Sequence, residues 1–219
     1  MPSTANATPR PFAELGPNTV LAALEEIGLR CDGRLQALNS FENRVYLVGL
    51  EDGGSRVAKF YRPGRWNRDQ LLEEHRFAHE IAAAEIPLAA PLHRDALMAP
   101  DLLEEEEDPE DDAAVADTLF ESHGFYIAVY RRQPELDNIH EGPAMRERIG
   151  QFIARIHQVG ARHGFLHRPP LDCGLDGWRS IERVTECAWL PPEVRHQWED
   201  LARQCCALVE ARLHPTLAS

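Results

Sequence analysis

One lysine set in an apolar run constrains this chain more than any other feature. In Arg56-Val57-Ala58-Lys59-Phe60-Tyr61-Arg62-Pro63, the residues Val57, Ala58, Phe60 and Tyr61 favour a buried or half-buried strand, and Lys59 lies among them. An ammonium drawn out of water is costly unless an anion meets it. The anions on offer are a carboxylate and a phosphate. Fifteen residues on, Leu71-Leu72-Glu73-Glu74-His75-Arg76-Phe77-Ala78 reads as helix and brings two carboxylates, Glu73 and Glu74. Spacing leaves two readings open. One is a strand lysine paired with a helix glutamate, an arrangement suited to gripping phosphates. The other is a strand-edge lysine with its head in water, near an ordinary surface glutamate.

The surrounding pattern supplies the elements. Pro17 opens a helix carrying Val20, Leu21, Leu24 and Ile27, closed near Gly28. Apolar runs at Leu35 to Leu38, Val45 to Leu50 and Arg56 to Tyr61 follow, with Glu51-Asp52-Gly53-Gly54 as a hairpin turn between the last two. A helix from about Trp66 to Ala84 turns Leu71, His75, Ala78 and Ile81 inward. Residues 86–91 are extended by their prolines. Gly124 to Tyr130 is the strongest strand, and Pro134 to Pro143 a connector. Ala144 to Ala161 is a core-facing helix through Met145, Ile149, Phe152, Ile153, Ile156 and Val159. The chain is then mixed until Pro191-Pro192 starts a last helix. This order predicts an α+β fold, with a small sheet lobe first and a helical lobe second.

Charge excludes several partners. Residues 101 to 117 hold ten acids and no Lys or Arg, so the rest of the chain carries only about −3 of the formal −13. No basic footprint for nucleic acid is present. The acidic block reads as a solvated loop. No apolar stretch approaches the roughly 20 residues of a membrane span, and the first residues lack the apolar core of a signal peptide. The five cysteines form no C-x-x-C pair and are odd in number, so a disulfide frame is not expected. A cytoplasmic location is expected. His157, His163 and His167 fit no zinc spacing and read as packing or capping residues.

Leu38-Asn39-Ser40-Phe41-Glu42-Asn43-Arg44-Val45-Tyr46 joins Val57-Ala58-Lys59-Phe60-Tyr61-Arg62-Pro63 in a specific combined pattern. Further matching pieces are Leu72 to His75, Phe77-Ala78, Pro87, Ala89 to Pro91, Gly124 to Tyr126, Asp137 to Ile139, His157-Gln158 and His167 to Pro169. From about residue 12 to 170 the chain resembles the stress response kinase A family, bacterial serine/threonine protein kinases with an aminoglycoside-phosphotransferase-like fold. The resemblance implies a tail at 1–12 and a kinase N-lobe over 13–133, with an acidic insert at about 101–117. A partial helical C-lobe over 134–219 follows. It implies ATP as ligand, with Lys59 on its phosphates and Glu74 as the ion-pair partner of Lys59. Glu73 is the alternative partner, since only one of the two can face inward. The turn Asn39, Ser40, Phe41, Glu42 and Asn43 would cover the phosphates with backbone N–H groups, or else serve as a plain hairpin connection. Backbone groups of Val129, Tyr130 and Arg131 would meet the adenine.

Family members continue through a loop of the form H-G-D-x-H-x-x-N and a further aspartate, which position the acceptor hydroxyl and hold Mg²⁺. Here His123-Gly124 and His163-Gly164 are each followed by phenylalanine. The resemblance therefore implies a truncated chain with no catalytic or metal-binding residue of its own, and Mg²⁺ ligands beyond Ser219. Such a chain is expected to be inactive alone and to self-associate through exposed helix faces, and its protein substrate is unidentified. Two alternatives remain: a small-molecule phosphotransferase of the aminoglycoside, choline or homoserine type, and a non-catalytic half-kinase that binds nucleotide or a partner.

Overall fold

The computed structural model describes residues 11–99, 112–133, 142–170, 173–187 and 190–217. Five antiparallel strands form one sheet in the order β1-β2-β3-β5-β4: β1 (Cys31–Leu38), β2 (Arg44–Leu50), β3 (Ser55–Phe60), β4 (Phe120–Ser122) and β5 (Phe125–Arg131). The helices are α1 (Pro17–Glu26), α2 (Arg68–Ala83), α3 (Asp112–Ala116), α4 (Pro143–Gly160), α5 (Cys173–Glu186) and α6 (Pro192–Leu217). Packing divides the chain into two compact units, Met1–Arg168 and Pro169–Ser219. Helix α4 lies in the first unit, where it packs against α2.

Alternation along β3 decides what each face of the sheet meets. Arg56, Ala58 and Phe60 are buried, while Val57 and Lys59 between them are half-buried. Ala58 and Phe60 join Val20 and Leu24 of α1, Val48, Leu50, Ile127 and Val129 in the main core. The polar exception on this face is Arg56, which is 2% exposed and is satisfied by carbonyls. It donates to Leu97 O at 3.0 Å and Ala99 O at 2.5 Å. A second, smaller cluster joins Leu71 of α2 to Tyr61, Leu119 and Ala128. Lys59 pairs in register with Ala128, and so belongs to that second face.

Helix α2 begins at a capping box. The Asn67 side chain accepts from Gln70 N, and the Gln70 side chain accepts from Asn67 N. Leu71, His75 and Ile81 are buried as the spacing predicts, and Glu73 is buried with them. Ile81, Ile86 and Val159 of α4 make a third cluster, with Phe77, Phe152 and Ile156 against it.

The structure differs from the expected elements at several points. Of the tail expected over residues 1–12, residues 1–10 lie outside the described residues, and the Phe12 ring stacks on Phe125 with centroids 6.1 Å apart. Helix α3 occupies the end of the acidic block, whose residues 101–111 lie outside the described residues. The connector at 134–141 lies outside them as well. Strand β4 and helix α5 were not expected, and a His123-Gly124 turn, both residues at positive φ, joins β4 to β5. Helix α4 is core-facing only through Phe152, Ile156 and Val159, because Ile149 and Ile153 are each 48% exposed. Among the described residues no helix is long and apolar enough to cross a membrane.

Candidate functional site

Lys59 and Glu74 meet. The Lys59 Nζ lies 2.7 Å from Glu74 Oε1, with the two side chains 21% and 34% exposed. The strand supplies the lysine from a fixed register, and the capped helix supplies the glutamate two turns in. The ammonium also sits 4.3 Å from the centre of the Tyr61 ring, a favourable place for a cation. Burial alone would raise the Glu74 carboxyl, but the Lys59 ammonium, followed by Arg168, outweighs it and holds the pKa below its ordinary value. Glu74 is therefore the anion that Lys59 requires, and it also accepts from Arg168 through Oε2.

Glu73 is not a rival partner for Lys59. Its carboxylate accepts the backbone N–H groups of three successive residues: Leu166, His167 at 3.1 Å and Arg168 at 2.6 Å. Burial pushes its pKa up, and the backbone donors, that of Arg168 foremost, bring it below the ordinary value. Both glutamates are thus engaged, one step apart on the helix, by different partners. Only Glu74 is turned to Lys59, while Glu73 is turned to residues 166–168. A hollow of about 580 Å³ beside α2, lined by Glu73, Arg76, Phe77, His163 and Leu166 among others, includes neither Lys59 nor Glu74.

The turn at residues 39–43 lies at the Lys59 end of β2 and β3, between the paired residues Leu38 and Val45. Ser40 Oγ donates to Asn43 O at 2.9 Å, and Asn43 Oδ1 accepts from Arg62 N at 3.1 Å. Glu42 Oε1 accepts from Arg65 Nε at 2.6 Å. Asn39 is exposed and Phe41 projects fully into solvent. The turn is therefore fixed to the segment after β3 by its own side chains. Of Arg62, Arg65 and Arg68, the guanidinium of Arg65 is held by Glu42.

The expected hinge residues divide. Val129 is buried in the main core and its carbonyl accepts from Leu92 N at 2.7 Å, so that carbonyl meets protein. Tyr130 and Arg131 remain in β5, paired with Val57 and Arg56. The strand runs through Arg131.

Sequence reasoning missed a buried polar chain behind the ion pair. Tyr61 Oη lies 2.7 Å from His75 Nε2 and 3.2 Å from Glu74 Oε1. His75 Nδ1 lies 2.7 Å from Thr118 Oγ1, and Thr118 spends its one proton on Val115 O at 2.7 Å. The imidazole must then donate from Nδ1 and accept at Nε2, so the Tyr61 hydroxyl donates to it. Burial pushes the Tyr61 hydroxyl well above its ordinary pKa, with Tyr130 and Glu74 adding to the effect. His157, His163 and His167 are exposed, apart from this chain. Among the described residues no three His, Cys, Asp or Glu gather as a metal-binding set.

The structure thus sets a sheet lysine, ion-paired to a helix glutamate, beside a polar hairpin turn. The chain belongs to the phosphotransferase enzyme family, whose pattern matches residues 34–219. It is 40% identical over 164 residues to stress response kinase A of Escherichia coli (strain K12), and 39% identical over 168 residues to the serine/threonine protein kinase RdoA of Salmonella typhimurium (strain LT2). These alignments cover 73% and 75% of this chain, and 43% of each relative. The chain thus spans less than half the length of these relatives. Among solved structures it is similar to amicoumacin kinase hAmiN in complex with AMP-PNP, Ca²⁺ and Ami, with a TM-score of 0.51 and 16% identity. That likeness covers 80% of this chain and 55% of the other. The fold is α+β and protein-kinase-like, of the aminoglycoside phosphotransferase type.

Proposed function

We propose that this chain is the nucleotide-gripping part of an ATP-dependent protein serine/threonine kinase of the bacterial stress response, acting in the cytoplasm. The observation that carries the reading is the Lys59–Glu74 pair at 2.7 Å. The ammonium is oriented by a carboxylate, and the adjoining turn at residues 39–43 is held in place by Ser40, Glu42 and Asn43. Lys59 would meet the nucleotide's phosphates and the turn would cover them. The names of the similar relatives support a protein acceptor over a small molecule. ATP and Mg²⁺ are the implied cofactors. The described residues offer ATP a cation but gather no metal-ligand set, so no step here is assigned to a metal. The 219 residues also contain no H-G-D-x-H-x-x-N string. Phosphoryl transfer depends on positioning the acceptor and neutralising the phosphate charge, so the 219-residue chain should bind nucleotide without turning it over.

Calorimetric titration with AMP-PNP, followed by an ATP turnover assay, tests this. Saturable binding with background turnover is the expected result. Absence of binding would overturn the nucleotide reading, and turnover by the 219 residues would overturn the inactivity. We also infer self-association. Ile149 and Ile153 on α4, and separately Val194, Leu201 and Leu208 on α6, present apolar side chains to solvent. Light scattering coupled to size-exclusion chromatography should detect species larger than the 24.7 kDa monomer. A monomer at all concentrations would reject this.

A further inference from the structure

We propose that Arg168 is a positioning residue of the nucleotide site, holding Glu74 on the oxygen that Lys59 leaves free so that the lysine keeps its charge for phosphate. The inference rests on the nucleotide reading above. Glu74 offers its two oxygens to two cations, Oε1 to Lys59 and Oε2 to Arg168. A lone Lys–Glu pair is neutral. With Arg168 added, the three side chains Lys59, Glu74 and Arg168 carry one net positive charge in a partly buried setting, where charge is screened less than in water, while the neighbouring Glu73 carboxylate is turned to the backbone N–H groups of residues 166–168. An arriving polyphosphate would then meet two cations that share one carboxylate.

Three independent contacts fix the arginine for this task. Its Nε donates to Gln70 O at 2.9 Å, its backbone N–H donates to Glu73 at 2.6 Å, and its guanidinium lies 4.1 Å from the centre of the Trp66 ring. The rest of the segment is tied to the same helix, since Gln70 Nε2 donates to His167 O at 3.0 Å. A planar guanidinium can stack and donate at once, which an ammonium cannot. The same Trp66 ring carries Arg65 at 4.5 Å, and Arg65 is the partner of Glu42. One aromatic ring therefore links the Glu42 side of the turn to the Glu74 side of the ion pair. Trp66 packs against the second cluster, that of Tyr61, Leu71, Leu119 and Ala128, whereas Arg168 belongs to none of the three hydrophobic clusters.

AMP-PNP affinity of the 219-residue chain, measured for four variants, tests the role. Arg168→Gln keeps much of the stem and removes the charge, and should weaken binding about tenfold, as loss of one charge-assisted contact does. Arg168→Lys restores the charge without the fork and should recover most of that loss. Glu74→Gln should itself weaken binding. In the Glu74→Gln background, adding Arg168→Gln should change affinity by less than about twofold, because the two residues act through one carboxylate. A strap that only held the segment down would give the same loss in both backgrounds, and that additivity would overturn the proposal. So would wild-type affinity in Arg168→Gln. If the wild-type chain itself fails to bind, the nucleotide reading falls and takes this inference with it. Wild-type binding with an unaffected Arg168→Gln overturns the inference alone.

Discussion

Lys59→Ala should weaken AMP-PNP binding by about 10- to 100-fold while leaving the fold intact. The magnitude follows from the contact removed. A hydrogen bond from an ionised donor to a charged acceptor contributes about 1.5–3 kcal/mol, and about 1.4 kcal/mol corresponds to a factor of ten. The fold should survive because Lys59 and Glu74 are 21% and 34% exposed, so water screens their attraction and softens its loss. Glu74 would also keep Arg168 as a partner. The main core contains no part of the Lys59 side chain. Thermal unfolding should shift by only a few degrees, and calorimetry should register the loss of affinity. Wild-type affinity in Lys59→Ala would remove the lysine from the site. A collapse of the melting temperature would instead give Lys59 a structural task that its exposure does not suggest.

The lysine and its partner were legible for a physical reason. Each sits on an element with strong periodicity, and a short connection of known direction separates them. Arg168 was not legible, because its carboxylate partner lies 94 residues away and no local pattern links the two. Thr118, 43 residues from His75, was hidden in the same way. Helical spacing placed His75 on the inward face, but only the fold shows what its two nitrogens meet. Helix α5 escaped notice because Gly174 and Gly177 read as breakers, and tertiary packing overrides that weak propensity. The Gly177 backbone lies so close to Cys206 of α6 that an added Cβ would stand 2.7 Å from Sγ, which suggests why a glycine stands there. Strand β4 has only three residues, too few for alternation to show. The contact of Leu92 with the Val129 carbonyl was hidden too, because it joins β5 to a segment 37 residues away that no local pattern links to it.

Acidification from pH 6.5 to 5 should destabilise the chain by about 2 kcal/mol through His75 alone. The buried imidazole has its pKa lowered from 6.5 to about 3, chiefly by burial, with Lys59, His79 and Arg168 adding to the effect and Glu74 opposing it. Its hydrogen bonds agree with that direction. A second proton would have to go on Nε2, where the Tyr61 hydroxyl already donates at 2.7 Å. Tyr61 would then have to turn its own proton towards Glu74. Above pH 6.5 the imidazole is neutral in both states, and the stability is fully present. Below it the unfolded chain takes up a proton that the folded chain refuses, so stability falls with each step down until about pH 3. His79, lowered to about 4 by burial and by His93, works in the same direction. Glu73 and Glu74 act in a lower window. Their carboxyls lie below the ordinary 4.5, so their contribution is lost only as pH falls beneath that value. Urea unfolding at pH 7, 6 and 5 should show the midpoint dropping at each step. In His75→Gln the curve should start lower at pH 7 and fall less steeply, with His79 supplying what slope remains. An unchanged slope in that variant would mean that some other group, not His75, takes up the proton.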